Sequence, residues 1–98
     1  MQRAFNRESD LERRVCQEAK ALGMLVYKFT SPGHRAVPDR MFITRAGRVG
    51  FIEFKARGRY PTRLQEVEIQ RLKAQNVEVI WSSDLDECIG FLNVLNER

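Results

Sequence analysis

Asp39, Glu53 and Lys55 are the residues of this 98-residue chain whose types and spacing suit joint chemistry. Glu53-Phe54-Lys55 lies within Gly50-Phe51-Ile52-Glu53-Phe54-Lys55-Ala56, which otherwise reads as a buried strand. Residues two apart on a strand share a face, so Val49, Phe51, Glu53 and Lys55 point one way and Gly50, Ile52, Phe54 and Ala56 the other. Both faces are largely apolar, the pattern of a central strand covered on both sides. A carboxylate and an ammonium are costly there unless paired, hydrogen-bonded or bound to a metal. Upstream, in Val37-Pro38-Asp39-Arg40, Asp39 stands at the entrance of the strand expected to pair with that of Glu53. Two carboxylates meeting there suit a hard divalent cation, Mg2+ or Mn2+, which prefers oxygen ligands and keeps waters that can become nucleophiles. The Phe54 carbonyl, between the two charged positions, can add an oxygen. Lys55 can orient a water or offset charge developing on a phosphate under attack.

The elements that must position these residues are legible in the spacing of apolar side chains. Ser9 opens a first helix in which Leu11, Val15, Ala19 and Leu22 recur at helical intervals before Gly23 ends it. Ser9-x-x-Glu12 also fits a capping box, which would tie Glu12 to the helix end. Residues 24–29 form a strand broken by Thr30-Ser31-Pro32-Gly33, and residues 40–44 and 48–56 form an antiparallel hairpin around Arg45-Ala46-Gly47. After the loop Gly58-Arg59-Tyr60-Pro61, Thr62 caps a second helix to about residue 75, with Leu64, Val67 and Leu72 on its apolar side. Thr62-x-x-Gln65 is a second capping box. A strand at 77–81 then implies a parallel crossover, and Ser83 caps a last helix with Leu85, Ile89, Leu92 and Leu95 inward. The order is α-β-β-β-α-β-α, an α/β fold with a mixed central sheet flanked by helices.

Length and a 43% hydrophobic content suit a single domain over residues 1–98. Apolar runs are short and no leader pattern is evident, so the expectation is a cytoplasmic protein without a membrane partner. Cys16 and Cys88 read as free buried thiols, and the lone His34 limits zinc chemistry. His34 reads instead as a residue that hydrogen-bonds in its loop or contacts phosphate. A net charge of +4 favours an anionic partner such as nucleic acid. Arginines 35, 40, 45, 48, 57, 59 and 63 are expected around the site loops, with a plain solvated basic face as the alternative. Tyr60 suits contact with DNA, whereas Trp81 reads as core.

Pro38-Asp39 followed by Glu53-Phe54-Lys55 resembles the signature of the PD-(D/E)XK nuclease superfamily. With Gly58, Pro61-Thr62 and Gln65 after it, the pattern is similar to the VRR-NUC group, the virus-type replication and repair nucleases, over nearly the whole chain. The resemblance implies a restriction-endonuclease-like core and a metal-dependent DNA endonuclease of a bacterial or virus-infected cell, without a small-molecule cofactor. It makes Asp39 and Glu53 ligands of Mg2+ or Mn2+, Lys55 the catalytic lysine, Glu12 the acid on the first helix that holds metal or water, and Gln65 a site residue. Glu8, one helical turn before Glu12, can serve in its place; the spacing from Glu12 to Gly23, similar to that in archaeal Holliday-junction resolvases, favours Glu12. The group commonly has glycine where this chain has Ala36. Small viral members imply branched DNA such as a Holliday junction as substrate. Contacts are expected from Arg35, Arg40, Arg57, Arg59, Tyr60 and Arg63, and the small size of the domain suggests a homodimer. The alternatives are a non-catalytic nucleic-acid-binding module of the same fold and a structural subunit in which Glu53 and Lys55 only fix strand register.

Overall fold

A computed structural model describes residues 4–97. Its elements are α1 (Glu8–Ala21), β1 (Leu25–Lys28), β2 (Arg40–Ile43), β3 (Val49–Phe54), α2 (Arg63–Ala74), β4 (Glu78–Ser82) and α3 (Leu85–Glu97). The order matches the α-β-β-β-α-β-α reading. The four strands form one sheet in the order β1-β2-β3-β4, antiparallel across the first two pairings and parallel between β3 and β4. Parallel neighbours need a crossover, and α2 supplies it. The sheet is therefore mixed, with β3 at its centre beside β2 and β4.

The register decides which side chains share a face. Val26, Phe42, Gly50 and Ile52 align across β1–β3 and face the core, with Phe54 further along the same face. Leu11, Val15 and Ala19 of α1 and Leu85, Leu92 and Leu95 of α3 close over them. Phe42, Ile52 and Phe54 are fully buried, each contributing about 1.5–3 kcal/mol through the apolar area removed from water. Gly50 is the point of closest approach: a Cβ there would meet Leu95 Cδ2 at 2.8 Å and Phe91 Cζ at 3.0 Å. Any side chain at this position would push α3 off the sheet.

The other face is covered unevenly, in contrast to the double coverage the sequence suggests. α2 packs over β4 and ends there. Beyond it, Leu25, Ile43 and Val49 form one row and Tyr27, Met41 and Phe51 the next. Leu25 is 55% exposed, and Tyr27 and Val49 are also exposed.

Several local expectations are corrected. In α2 the inward residues are Gln65, Ile69 and Leu72, whereas Leu64 is 64% exposed and Val67 is exposed too. The helix is turned this way because Gln65 is anchored at its first turn. Leu22 has left the α1 stripe, lying at the exposed helix end where the chain turns through Gly23 (φ +86°). At α3 the cap is Asp84 in place of Ser83: Asp84 Oδ2 accepts from the Glu87 N–H at 2.9 Å. Ile89 is half-buried against the core and Cys88 beside it is fully buried. Strand β3 ends at Phe54, although the Lys55 N–H still donates to the Ser82 carbonyl at 3.0 Å. Both cysteines are free and buried, as expected. Burial pushes the Cys88 thiol up to about 12, so it is an inert thiol.

Candidate active site

Asp39 and Glu53 meet because β2 starts where β3 ends. Arg40 pairs with Ile52 in the antiparallel register, so the residue before β2 lies beside the last turns of β3. There Asp39 Oδ2 accepts the Phe54 N–H at 2.8 Å. This bond fixes one carboxylate against the main chain next to the other carboxylate. The Phe54 ring points into the core, leaving only its main chain for the site.

Glu53 is 3% exposed. Its Oε2 accepts from Gln65 Nε2 at 2.9 Å and lies 3.5 Å from Lys55 Nζ. Its Oε1 is buried without a hydrogen-bond partner. Burial, and next the charge of Asp39, push the Glu53 carboxyl up to about 7, while Lys55 pulls the other way. Asp39 is also raised, by burial against the opposing bond from Phe54, with Glu12 raising it further and Lys55 and Lys28 lowering it. Acids gathered out of water with one ammonium between them are short of positive charge.

Gln65 is held at both ends of its amide. Its Oε1 accepts the Thr62 N–H at 2.9 Å, while its own N–H donates to Thr62 Oγ1 at 3.2 Å, completing a capping box. A backbone N–H can only donate, so the amide oxygen must face Thr62 and the amide nitrogen Glu53. One side chain thus makes both the helix cap and the bond to Glu53.

At α1 the expected capping box does not form. The helix starts at Glu8, its N-cap is Arg7, and no side chain caps it. The chain arrives there already tethered: Ala4 bridges to Asp84, and the Arg57 N–H donates to the Phe5 carbonyl at 2.8 Å. Glu12 Oε2 accepts from Arg40 Nε at 2.5 Å, which leaves Glu12 bound to a guanidinium. Both glutamates of α1 act on the acids through their charge, Glu12 on Asp39 and Glu8 on Glu53. The Glu8 carboxyl is raised by burial and next by Asp39, is lowered by Lys55, and itself raises Glu53.

No protein-family model matches the chain. A solved structure described as a VRR_NUC domain superposes with a TM-score of 0.80, covering 88% of this chain and 94% of that one at 23% identity. A protein of Acyrthosiphon pisum secondary endosymbiont phage 1, named "Putative nuclease p44", is 39% identical over 89 residues, covering 89% of this chain and 96% of the relative. The chain belongs to the VRR-NUC family.

Among the described residues of this VRR-NUC chain, no three His, Cys, Asp or Glu side chains converge as a ready-made cation cage. The donors nonetheless fit a small hard cation. Mg2+ asks for one or two carboxylates and fills its other positions with water and substrate phosphate. The unpartnered Glu53 Oε1 beside the Asp39 carboxylate is the oxygen such an ion would satisfy.

Apart from Arg40, which holds Glu12, the arginines expected around the site divide into two groups. Arg35, Arg57, Arg59 and Arg63 are exposed on loops or the α2 start at the site end of the sheet. Arg45 and Arg48 sit at the β2–β3 turn, roughly 17 Å of strand away from the acids. Their expected place around the site is thus corrected. Arg45 packs on Gly23 and Arg48 lies 3.9 Å from Glu78.

Lys28 and Trp81 escape a reading of sequence as neighbours of the acids, and His34, read as a hydrogen-bonding loop residue, finds its partner outside its own loop. Lys28 ends β1 opposite Arg40, so its charge reaches Asp39; strand pairing was the signal for it. His34 Nε2 contacts Glu68 Oε1 at 2.6 Å, fastening the β1–β2 loop to α2 one helical turn beyond Gln65. Trp81 pairs in register with Glu53 and stands on the same face. In the same loop Ala36 adopts φ +69°. Glycine takes this left-handed conformation freely, whereas any other residue loses about 1–2 kcal/mol there, and Ala36 stands where the family pattern has glycine.

Proposed function

We propose that this VRR-NUC protein is a divalent-metal-dependent endonuclease that hydrolyses DNA phosphodiester bonds. The observation that carries the reading is the buried, unpartnered Glu53 Oε1 beside Asp39 and Lys55. Asp39 and Glu53, with the Phe54 carbonyl, would hold Mg2+ or Mn2+. When bound, the ion supplies Lewis-acid charge at the scissile phosphate and lowers the pKa of water for in-line attack. Lys55, within 3.5 Å of Glu53, orients the attacking water and offsets charge on the phosphate in the transition state. Gln65 keeps Glu53 in place through its amide N–H. Glu8 completes the acidic shell from α1, and Glu12, fixed to Arg40, serves to position that helix.

A purely binding module with the same fold gains nothing from a buried and a half-buried acid at the spot a phosphate must approach, since without a cation they repel it. The direct test incubates labelled four-way junction, flap and duplex DNA with purified protein and Mg2+ or Mn2+. Cleavage should vanish with chelator and in Asp39→Asn and Glu53→Gln variants that melt no lower than the parent. Metal-independent cutting, or cutting by both variants, rejects the assignment.

Branched DNA is the proposed preferred substrate, processed by a homodimer. The bare rows around Leu25, Tyr27 and Val49 are the surface a second copy would cover. Light scattering of the parent and of Leu25→Glu tests this: the parent should measure as a dimer and the variant as a monomer.

A further inference from the structure

The edge strand β4 carries a groove that the hydrolytic site does not use. On its α2 side lies a hollow of about 610 Å³ lined by Arg63, Arg71, Lys73 and Trp81, with Glu66 as its acid. A second hollow of about 710 Å³ meets it at Trp81 and adds Tyr60 and Arg57, with Asp84 and Glu87 opposite. Positive charge is therefore concentrated along the α2 side, and the aromatic pair marks the junction of the two hollows. The Tyr60 and Trp81 ring centroids are 5.7 Å apart at 67°, an edge-on contact. Such a contact occupies at most one face of one ring, and Trp81 keeps part of its surface in both hollows. Tyr60 is 73% exposed, far more than a ring placed for core packing.

Position gives the groove its meaning. Trp81 is the register partner of Glu53 on the neighbouring strand and shares its face, about 4.8 Å away along the sheet. An aromatic platform one strand spacing from the acids, with cations leading away from it, has the makeup of a site for unpaired nucleotides. We infer that Tyr60 and Trp81 stack an unpaired base next to the scissile phosphate, while Arg63, Arg71 and Lys73 follow the sugar–phosphate backbone leading to it. The preferred DNA is then one with single-stranded nucleotides at a branch point beside the cut. This inference rests on the nuclease reading above for the word scissile, but the binding it describes needs neither metal nor cleavage.

Trp81 is the chain's single tryptophan, so its emission reports on this groove alone. The parent protein, held in chelator, is titrated with oligothymidylate and separately with a blunt hairpin duplex. Oligothymidylate should quench Trp81, and the duplex should leave it nearly unchanged. Tyr60→Ala, a substitution at an exposed ring that spares the core, should weaken oligothymidylate binding between about fivefold and a hundredfold. Arg71→Ala should weaken it and flatten its salt dependence. Unchanged emission at saturating oligothymidylate, equal quenching by the duplex, or unaltered affinity in Tyr60→Ala overturns the inference. The parent protein separates the two readings. Quenching by oligothymidylate in a parent that cuts nothing with Mg2+ or Mn2+ leaves the groove and removes the nuclease; cleavage by the parent without quenching does the reverse, and Asp39→Asn should still be quenched while cutting nothing.

Discussion

The starts of α1 and α2 carry the same kind of sequence signal and fold differently. Ser9-x-x-Glu12 and Thr62-x-x-Gln65 both spell a capping box. At α2 the box closes, and its glutamine reaches on to Glu53. At α1 no side chain caps; the helix begins at Glu8, and Glu12 goes to Arg40. The difference lies in what precedes each helix. Before α2 stands a loop free to let Thr62 take its extended cap conformation, whereas before α1 the chain is pinned to α3 and to the segment after β3. A capping motif is worth about 1 kcal/mol, which several fixed contacts can override. The result is that α1 presents an acid to the site and α2 a neutral donor.

Making the two helix starts alike should do the most damage. Gln65→Glu replaces the donor to a buried carboxylate with a second carboxylate, and should destabilise the protein by about 3–5 kcal/mol at pH 8. The loss should shrink at pH 5, where the two groups can share a proton. Equal losses at both pH values in thermal melts would show that the Gln65–Glu53 bond is not the one that matters.

The pH dependence of the parent protein is next in size. The Glu53 carboxyl titrates near 7 in the folded chain against an ordinary 4.5. The folded state therefore binds more protons between those values, and stability falls as pH rises through that window. In the absence of divalent metal the fall should be roughly 3 kcal/mol, complete above about pH 7. Asp39 and Glu8, also raised, act with the same sign. Glu53→Gln should flatten most of the slope in denaturant titrations, and Mg2+ or Mn2+ should stabilise the parent more at pH 8 than at pH 5.

Separating the two acids of α1 comes third. Glu8→Gln should lower cleavage about tenfold to a hundredfold, with Glu12→Gln lowering it less and shifting stability by about 1 kcal/mol or less through the lost Arg40 pair. The opposite ranking in single-turnover assays would return the role to Glu12. The smallest effect sharpens the original contrast: Thr62→Ala should cost about 1 kcal/mol, and Ser9→Ala less than about 0.5 kcal/mol.

The order of elements, the hairpin, the crossover and the convergence of Asp39 with Glu53 were all legible in the chain. They follow from apolar spacing and turn residues, which act over a few positions and survive any context. The orientation of α2 was not legible, because Leu64 and Val67 look more apolar than Gln65 and Glu68, whereas Gln65 bonds Glu53, Glu68 meets His34, and Ile69 is the buried apolar residue between them. Trp81 was read as core for a related reason: whether a strand residue is covered depends on where a neighbouring helix ends.

Sequence by itself determined which residues can carry charge into the sheet and which strand holds them. Tertiary structure alone decided which partner Glu12 takes, which groups surround Asp39, and how far α2 covers the second face. The physical reason is range. Backbone preference and side-chain periodicity are set by neighbours along the chain, whereas ionisation, burial and pairing at this site are set by groups brought together from α1, β1, β2, β3 and α2.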